Sequence, residues 1–135
     1  MTSAAGFEPK AWHDGRGFVQ GQVYLADDRH VSEALKSAFG MEVKKSRPIV
    51  ILQNDRLNSV PQVPVILVAP LTSQARVMEN DYVLRADGKL LEKDSVVQLS
   101  LLQPIPKRAL TKFIGKVSGD DLRAIKELLR RKFAL

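Results

Sequence analysis

The stretch SRPIVILQNDRLNSVPQVPVILVAPLTS, residues 46–73, decides the fold of this chain. It contains two strongly apolar, β-branched runs, at 48–52 and 63–70, and turn-forming residues bound each of them. Such runs predict strands that are buried on both faces. The segment between them, NDRLNSVPQ, has the composition of a turn. The centre of the protein is therefore predicted to be a pair of buried strands.

Further strands are predicted on either side of this centre, at 18–26, 81–85, 95–102 and 110–117, with Asp87-Gly88 as a hairpin signal. The chain ends in an amphipathic helix with Ser118 as its N-cap and cations in its last turn. Its apolar stripe consists of Leu122, Ile125, Leu128, Leu129 and Phe133. Several short strands and one closing helix predict a mainly β fold with α, a small and strongly bent β-barrel with a C-terminal helix.

Length and composition indicate one compact domain. The 135 residues are 44% hydrophobic and 27% charged, with a net charge of +6 and no cysteine. We expect a flexible leader at 1–16 and a single domain at 17–135. The N-terminus lacks the apolar segment of a secretory signal, and the longest apolar run is too short to span a bilayer. The sequence therefore predicts a cytoplasmic protein without a membrane partner.

Several classes of enzyme are disfavoured by the motifs that are missing. The sequence has no His/Asp/Glu cluster with metal-ligand spacing, no Walker loop and no G-x-S-x-G elbow. We therefore expect neither a metal nor a cofactor. An enzyme built from the remaining Arg, Lys, Glu, Ser and Thr residues is suited to cleaving RNA through the 2′-hydroxyl of the RNA itself, because the substrate supplies the nucleophile.

Two residues of the central stretch fit that reaction. Arg47 directly precedes the first buried strand, and Thr72 follows the end of the second. If the strands are antiparallel neighbours, both residues converge at one rim of the sheet. A guanidinium binds two phosphate oxygens at once, and a hydroxyl can donate to the same phosphate.

From Gly21 to the C-terminus the chain resembles the MazF/PemK toxins of bacterial toxin–antitoxin systems, which are ribonucleases. Its first strand, GQVYLA, is similar to the family's opening strand, and GMEVKKSRP keeps Gly40, Glu42, Arg47 and Pro48 of the family's loop motif. The later segments that resemble the family are IVILQNDRLN, VILVAPLTSQ, KDSVVQL and FIGKVSGDDLRAIKELLRRKF.

The resemblance implies a homodimeric SH3-like (PemK-type) barrel that cleaves single-stranded RNA, often messenger RNA, and is silenced by a cognate antitoxin. It places the catalytic pair on Arg47 and Thr72 and the acid of the loop motif on Glu42. Residues predicted to bind the substrate lie beside them: Lys44, Lys45, Ser46, Ser73, Gln74 and Arg76.

The chain departs from the family pattern in two places. The family's usual Asp-Gln after the late strand, often preceded by a catalytic Arg in PemK-type members, is here QLSLLQ, so Gln98 and Ser100 stand where an Arg and an Asp could be, with Leu101 next to them. The loop at 27–39 contains an insertion. Two alternatives from other classes stay open. One is a non-catalytic SH3-like module in which Arg47 and Thr72 only contact an anion. The other is a CcdB-type gyrase inhibitor, although that group usually ends in Trp-Gly-Ile, whereas this chain ends in RKFAL.

Overall fold

The computed structural model describes residues 16–27, 29, 46–73, 77–79 and 81–135. Seven strands and two helices follow one another in these ranges. They are β1 (Gln22–Asp27), β2 (Ser46–Ile51), α1 (Asp55–Asn58), β3 (Val65–Thr72), β4 (Tyr82–Leu84), β5 (Ser95–Val97), β6 (Gln103–Pro106), β7 (Leu110–Lys116) and α2 (Gly119–Lys132).

The strands form one antiparallel sheet in the order β4-β5-β3-β2-β1-β7, and β6 pairs with the first half of β3. The two strands predicted from the central stretch are therefore neighbours in the middle of the sheet. The mainly β class with a C-terminal helix is confirmed. The pairings between the described strands do not close the sheet into a hydrogen-bonded ring, so the fold resembles a barrel without being a closed one.

Both faces of the central strands are buried, as the absence of alternation in the apolar runs predicts. One face carries a core that includes Phe18 and Tyr24, and the opposite face carries a second core that α2 covers. The first core consists of Phe18, Tyr24, Ala26, Ile49, Ile51, Ile66, Val68, Ile105, Ala109 and Leu110. The second consists of Val23, Val50, Leu52, Ala69, Leu71, Leu84, Val97, Leu99, Val117 and Ile125.

Helix α2 begins where the sequence predicts. The Ser118 hydroxyl accepts a hydrogen bond from the Asp121 backbone N–H at 3.1 Å, which satisfies one of the unpaired donors of the first turn. The Tyr82 hydroxyl donates to Asp121 Oδ1 at 2.5 Å and so fastens this end of the helix to β4. Phe133 is the last residue of the predicted apolar stripe. This residue follows the last helical turn and its side chain is 55% exposed.

Two predicted strands are shorter in the structure, and one further strand was not predicted. The strand predicted at 18–26 begins only at Gln22, because Gly21 adopts a φ of +92° in the preceding turn. The strand predicted at 95–102 ends at Val97, where a 3-10 turn at Leu99–Leu101 takes over. The predicted strands do not include β6. Its prolines at 104 and 106 disfavour a strand, but it lies at an edge, where it pairs with β3 alone.

Short polar side chains stabilise the turns by accepting hydrogen bonds from backbone N–H groups. Asn54 caps the single turn of α1 by accepting from the Leu57 backbone N–H at 2.9 Å. In the predicted hairpin, Asp87 Oδ1 accepts from three successive backbone N–H groups, and Gly88 has a φ of +72°. These bonds lower the pKa of the exposed Asp87 carboxyl, the bond from Lys89 most of all. β4 and β5 pair across this turn, so the hairpin is confirmed.

Most of the predicted leader at 1–16 lies outside the described residues, and so does most of the inserted loop at 27–39. Arg16, which the prediction assigned to the leader, is bound to the domain. Its guanidinium lies 4.8 Å from the ring centroid of Phe18, and Nη1 donates to the Leu110 carbonyl at 2.5 Å. Neither helix in the described ranges has the length and apolar character needed to cross a membrane.

Candidate active site

The register between β2 and β3 places Arg47 opposite Thr72. The two strands pair Ile49 with Pro70, Val50 with Ala69 and Ile51 with Val68. Continuing this register by two residues sets Arg47 against Thr72, at the end where β2 begins and β3 finishes. Residues opposite each other in an antiparallel pair project from the same face. The structure thus brings the predicted catalytic pair to one rim and one face of the sheet.

The two side chains are almost completely buried. Arg47 is 3% exposed and Thr72 is 8% exposed. On the other side of Arg47 its partner in the sheet is Ala26, which has only a methyl side chain. Burying a guanidinium costs solvation free energy, and an apolar residue would avoid that cost. An arginine placed here beside a hydroxyl is therefore an unusual feature of the core.

An ion pair between Asp27 and Arg29 lies at the same rim of the sheet as Arg47 and Thr72. Ser46, the first residue of β2, pairs with Asp27 at the end of β1. The Asp27 carboxylate in turn binds Arg29, with Nη2 2.7 Å from Oδ2. The hydrogen bond that Arg29 donates to Asp27, followed by the charge of that carboxylate, raises the pKa of Arg29. The charge of Arg29 offsets that of the Asp27 carboxylate.

The predicted substrate-binding residues are only partly described. Ser46 and Ser73 are exposed and lie at the same rim as Arg47 and Thr72. Because side chains alternate along a strand, Ser46 projects from the face opposite to that of Arg47. The other predicted residues, Glu42, Lys44, Lys45, Gln74 and Arg76, lie outside the described residues.

A carboxylate that the sequence analysis missed lies beside Ser100. Asp81, which is 8% exposed, accepts from the Ser100 backbone N–H at 3.0 Å through Oδ1. Its Oδ2 lies 3.4 Å from the Ser100 hydroxyl and 3.2 Å from the Met78 backbone nitrogen. The only signal in the sequence is an aspartate just before β4, because sheet pairing rather than sequence proximity brings the two residues together.

Gln98 is the other unusual group near this rim. It is fully buried, and its backbone N–H donates to the Pro70 carbonyl at 2.8 Å. Within the described part of the chain, neither polar atom of its carboxamide has a hydrogen-bond partner. In the same ranges, no three His, Cys, Asp or Glu side chains converge in a way that could hold a metal ion.

Comparisons with known proteins connect this geometry to a family. Residues 20–133 match the family described as PemK-like, MazF-like toxin of type II toxin–antitoxin system. The Endoribonuclease EndoA of Bacillus subtilis (strain 168) is 30% identical to this chain over 118 residues, which are 86% of this chain and 94% of the relative.

Solved structures show the same fold. The Mycobacterium tuberculosis toxin MazF-mt6 superposes with a TM-score of 0.62 at 24% identity, covering 84% of this chain and 97% of the other. A mycobacterial endoribonuclease in complex with its cognate antitoxin superposes with a TM-score of 0.64 at 18% identity, covering 89% and 96% of the two chains.

Proposed function

The chain belongs to the PemK-like, MazF-like family of type II toxins, and on this premise we propose that it cleaves single-stranded RNA at the rim formed by Arg47 and Thr72. Family membership and the Bacillus subtilis relative identify it as a toxin with endoribonuclease activity. One observation supports the location of the active site above all others. The register of β2 and β3, continued by two residues beyond the pair of Ile49 and Pro70, supports a buried arginine opposite a buried threonine on one face.

The proposed reaction uses the substrate's own nucleophile. The 2′-oxygen attacks the adjacent phosphorus, its proton passes to a base, and the bond from phosphorus to the 5′-oxygen breaks. That leaving oxygen takes up a proton, so the products are a 2′,3′-cyclic phosphate and a 5′-hydroxyl. Arg47 binds the non-bridging oxygens as their negative charge grows, and Thr72 donates a hydrogen bond to the same phosphate. Glu42 is the proposed base.

Binding of the RNA backbone is proposed to involve the polar and basic residues around this pair. They are Lys44, Lys45, Ser46, Ser73, Gln74 and Arg76. The net charge of +6 favours association with a polyanion and makes binding depend on salt. Because its proposed substrate is single-stranded RNA, such as messenger RNA, the toxin is proposed to act in the cytoplasm.

We also propose two protein interactions, one with a second copy of this chain and one with an antitoxin. We expect a homodimer, because two-fold symmetric dimers are by far the commonest homo-oligomers. Phe113 and Ile114 on β7 are 52% and 38% exposed and are available for such a contact. We also expect a cognate antitoxin with an acidic segment that competes with phosphate for the basic residues. The matching mycobacterial structure contains an antitoxin, which supports this expectation.

The non-catalytic SH3-like module is the second candidate, since a buried Arg–Thr pair could bind an anion without promoting its cleavage. The CcdB-type gyrase inhibitor is less well supported, because the family matched over 20–133 is that of PemK and MazF.

The deciding experiment incubates the purified chain with a long single-stranded RNA, with and without EDTA, and maps the new ends. We expect cleavage in both conditions, with 2′,3′-cyclic phosphate and 5′-hydroxyl ends. A substrate with 2′-deoxy residues throughout is the control and should stay intact. Cleavage that EDTA abolishes and magnesium restores would contradict the mechanism. RNA that binds but remains whole would favour the non-catalytic module.

A further inference from the structure

The buried carboxamide of Gln98 has no structural role that the described residues account for. The residue is 0% exposed, and both Oε1 and Nε2 lack hydrogen-bond partners in the described ranges. Buried side-chain amides are normally satisfied, because an unpaired polar group loses its bonds to water and gains nothing in return. An apolar residue of similar size, such as leucine, would avoid this cost. The glutamine is therefore better explained by a partner that is absent from the isolated chain.

Gln98 lies close to the proposed catalytic pair in the sheet. β3 and β5 pair Leu71 with Val97 and Thr72 with Val96. Continuing this register by one residue sets Gln98 against Pro70, in agreement with its backbone hydrogen bond to the Pro70 carbonyl. Pro70 and Thr72 project from the same face because they are two residues apart on one strand. Gln98 is thus a diagonal neighbour of Thr72 on the face that also carries Arg47.

The chemistry of a carboxamide identifies the kind of group that could satisfy it. A phosphate offers only acceptors, so it could pair with Nε2 but would leave Oε1 unpaired. The edge of a nucleobase presents a donor and an acceptor side by side and can pair with both atoms at once. Because the carboxamide has already lost its water, pairing with such an edge breaks no existing hydrogen bond on the protein side.

We propose that Gln98 recognises a nucleobase next to the bond that is cut, and so determines specificity at one position of the RNA. This role rests on the proposed RNA-cleaving function of the Arg47 and Thr72 rim. A base with the wrong edge would leave both carboxamide atoms unpaired and would be rejected. Both atoms are closed off from solvent, so the base can reach them only when the groups that cover Gln98 move aside.

The test measures base preference without requiring cleavage. A random-sequence pool of 2′-fluoro RNA, which lacks the nucleophile, is bound to the wild type and to Gln98→Leu, and the retained sequences are determined. The wild type should enrich one base at one position by about tenfold or more. Gln98→Leu should lose this preference, bind the pool as a whole with similar affinity and melt at a higher temperature. In Gln98→Glu, which replaces the donor by an acceptor, the preferred base should change.

Gln53→Leu is the matched control, because Gln53 lies just beyond the other end of β2 and its carboxamide is paired. Its Nε2 donates to Asn58 Oδ1 at 3.1 Å. This variant should keep the wild-type base preference and lose stability. The role of Gln98 is overturned if Gln98→Leu retains the wild-type preference, or if the wild type shows none. Should Gln98→Leu fail to fold, Gln98→Met takes its place with the same expectations.

Parallel cleavage of ordinary RNA separates this inference from the proposed function. Gln98→Leu should still cut, now with relaxed sequence choice, and Arg47→Ala should not cut. A pool preference that depends on Gln98, in a protein that cleaves no RNA, would support the role of Gln98 as a base-recognising residue. The same result would refute the proposed function.

Discussion

The β2–β3 register that pairs Ile49 with Pro70, continued by two residues, sets Arg47 against Thr72 at the end of the sheet where one strand begins and the other finishes. Side chains opposite each other in such a pair have Cβ atoms about 4.5–5.5 Å apart. A guanidinium and a hydroxyl at this spacing can contact the same phosphate group.

Arg47→Ala should reduce the rate of RNA cleavage by a factor on the order of 10²–10³, because the growing charge on the phosphate loses its bidentate donor. Arg47→Lys keeps the charge but not the planar fork, so its rate should lie between those of wild type and alanine. The measurement is single-turnover cleavage at saturating enzyme, with circular dichroism to verify folding.

Arg85→Ala is the control for Arg47, since Arg85 is an exposed arginine that pairs with Asp94 at 2.9 Å in the β4–β5 hairpin. Its cleavage rate should match that of the wild type. If Arg47→Ala cuts RNA within a few-fold of the wild-type rate while folded, Arg47 is only a structural residue of the core.

Thr72→Val should lower the single-turnover rate by a factor on the order of 10², since valine keeps the shape and removes the donor. Thr72→Ser restores a hydroxyl and should retain most of the activity. Combining Thr72→Val with Arg47→Ala should cost less than the two single effects multiplied, because both groups act on one phosphate. Full multiplicativity would show that the two residues do not act together.

The Tyr82–Asp121 hydrogen bond predicts a pH dependence of the link between β4 and α2. The bond to Asp121, followed by burial, raises the pKa of Tyr82 from 10.0 to about 12. Because the folded-state pKa is the higher one, the stabilising effect is complete below pH 10.0 and is lost as the pH rises through about 12.

Phenolate absorbance during an alkaline titration tests this prediction. The chain has two tyrosines, so subtracting the curve of Tyr82→Phe from that of the wild type isolates Tyr82. The midpoint should lie near 12 in the wild type and shift towards 10.0 in Asp121→Asn. Equal midpoints in these two proteins would show that the hydrogen bond has no such effect in solution.

Lys107→Met should destabilise the domain by about 1–3 kcal/mol, because two carbonyl groups would lose a charged donor. Lys107 is 3% exposed, and its Nζ donates to the carbonyls of Asn58 and Val60, each at 3.1 Å. Denaturant unfolding measures the loss. Lys116→Met, at an exposed position of β7, is the control and should change stability little. A similar loss of stability in both variants would show that the effect comes from removing a positive charge and not from the buried hydrogen bonds.

The sequence determined the elements whose signals are local. Two uninterrupted apolar runs are enough to predict strands buried on both faces, and both were found at the centre of the sheet. The start of α2 was predictable because an N-cap and the acids of a first turn act within a few residues. The order of Arg47 and Thr72 along these strands was also enough to predict their convergence, given only that the strands pair antiparallel.

Tertiary structure decided what depends on pairing between distant segments. No local pattern marks β6, since its two prolines disfavour a strand, and only an edge position next to β3 makes one possible. The contact between Asp81 and Ser100 arises only because both residues lie near the ends of neighbouring strands. The environment of Gln98 also depends on pairing between distant segments. Composition gives no sign that its carboxamide is buried and unpaired beside Thr72, because burial results from packing by several strands at once.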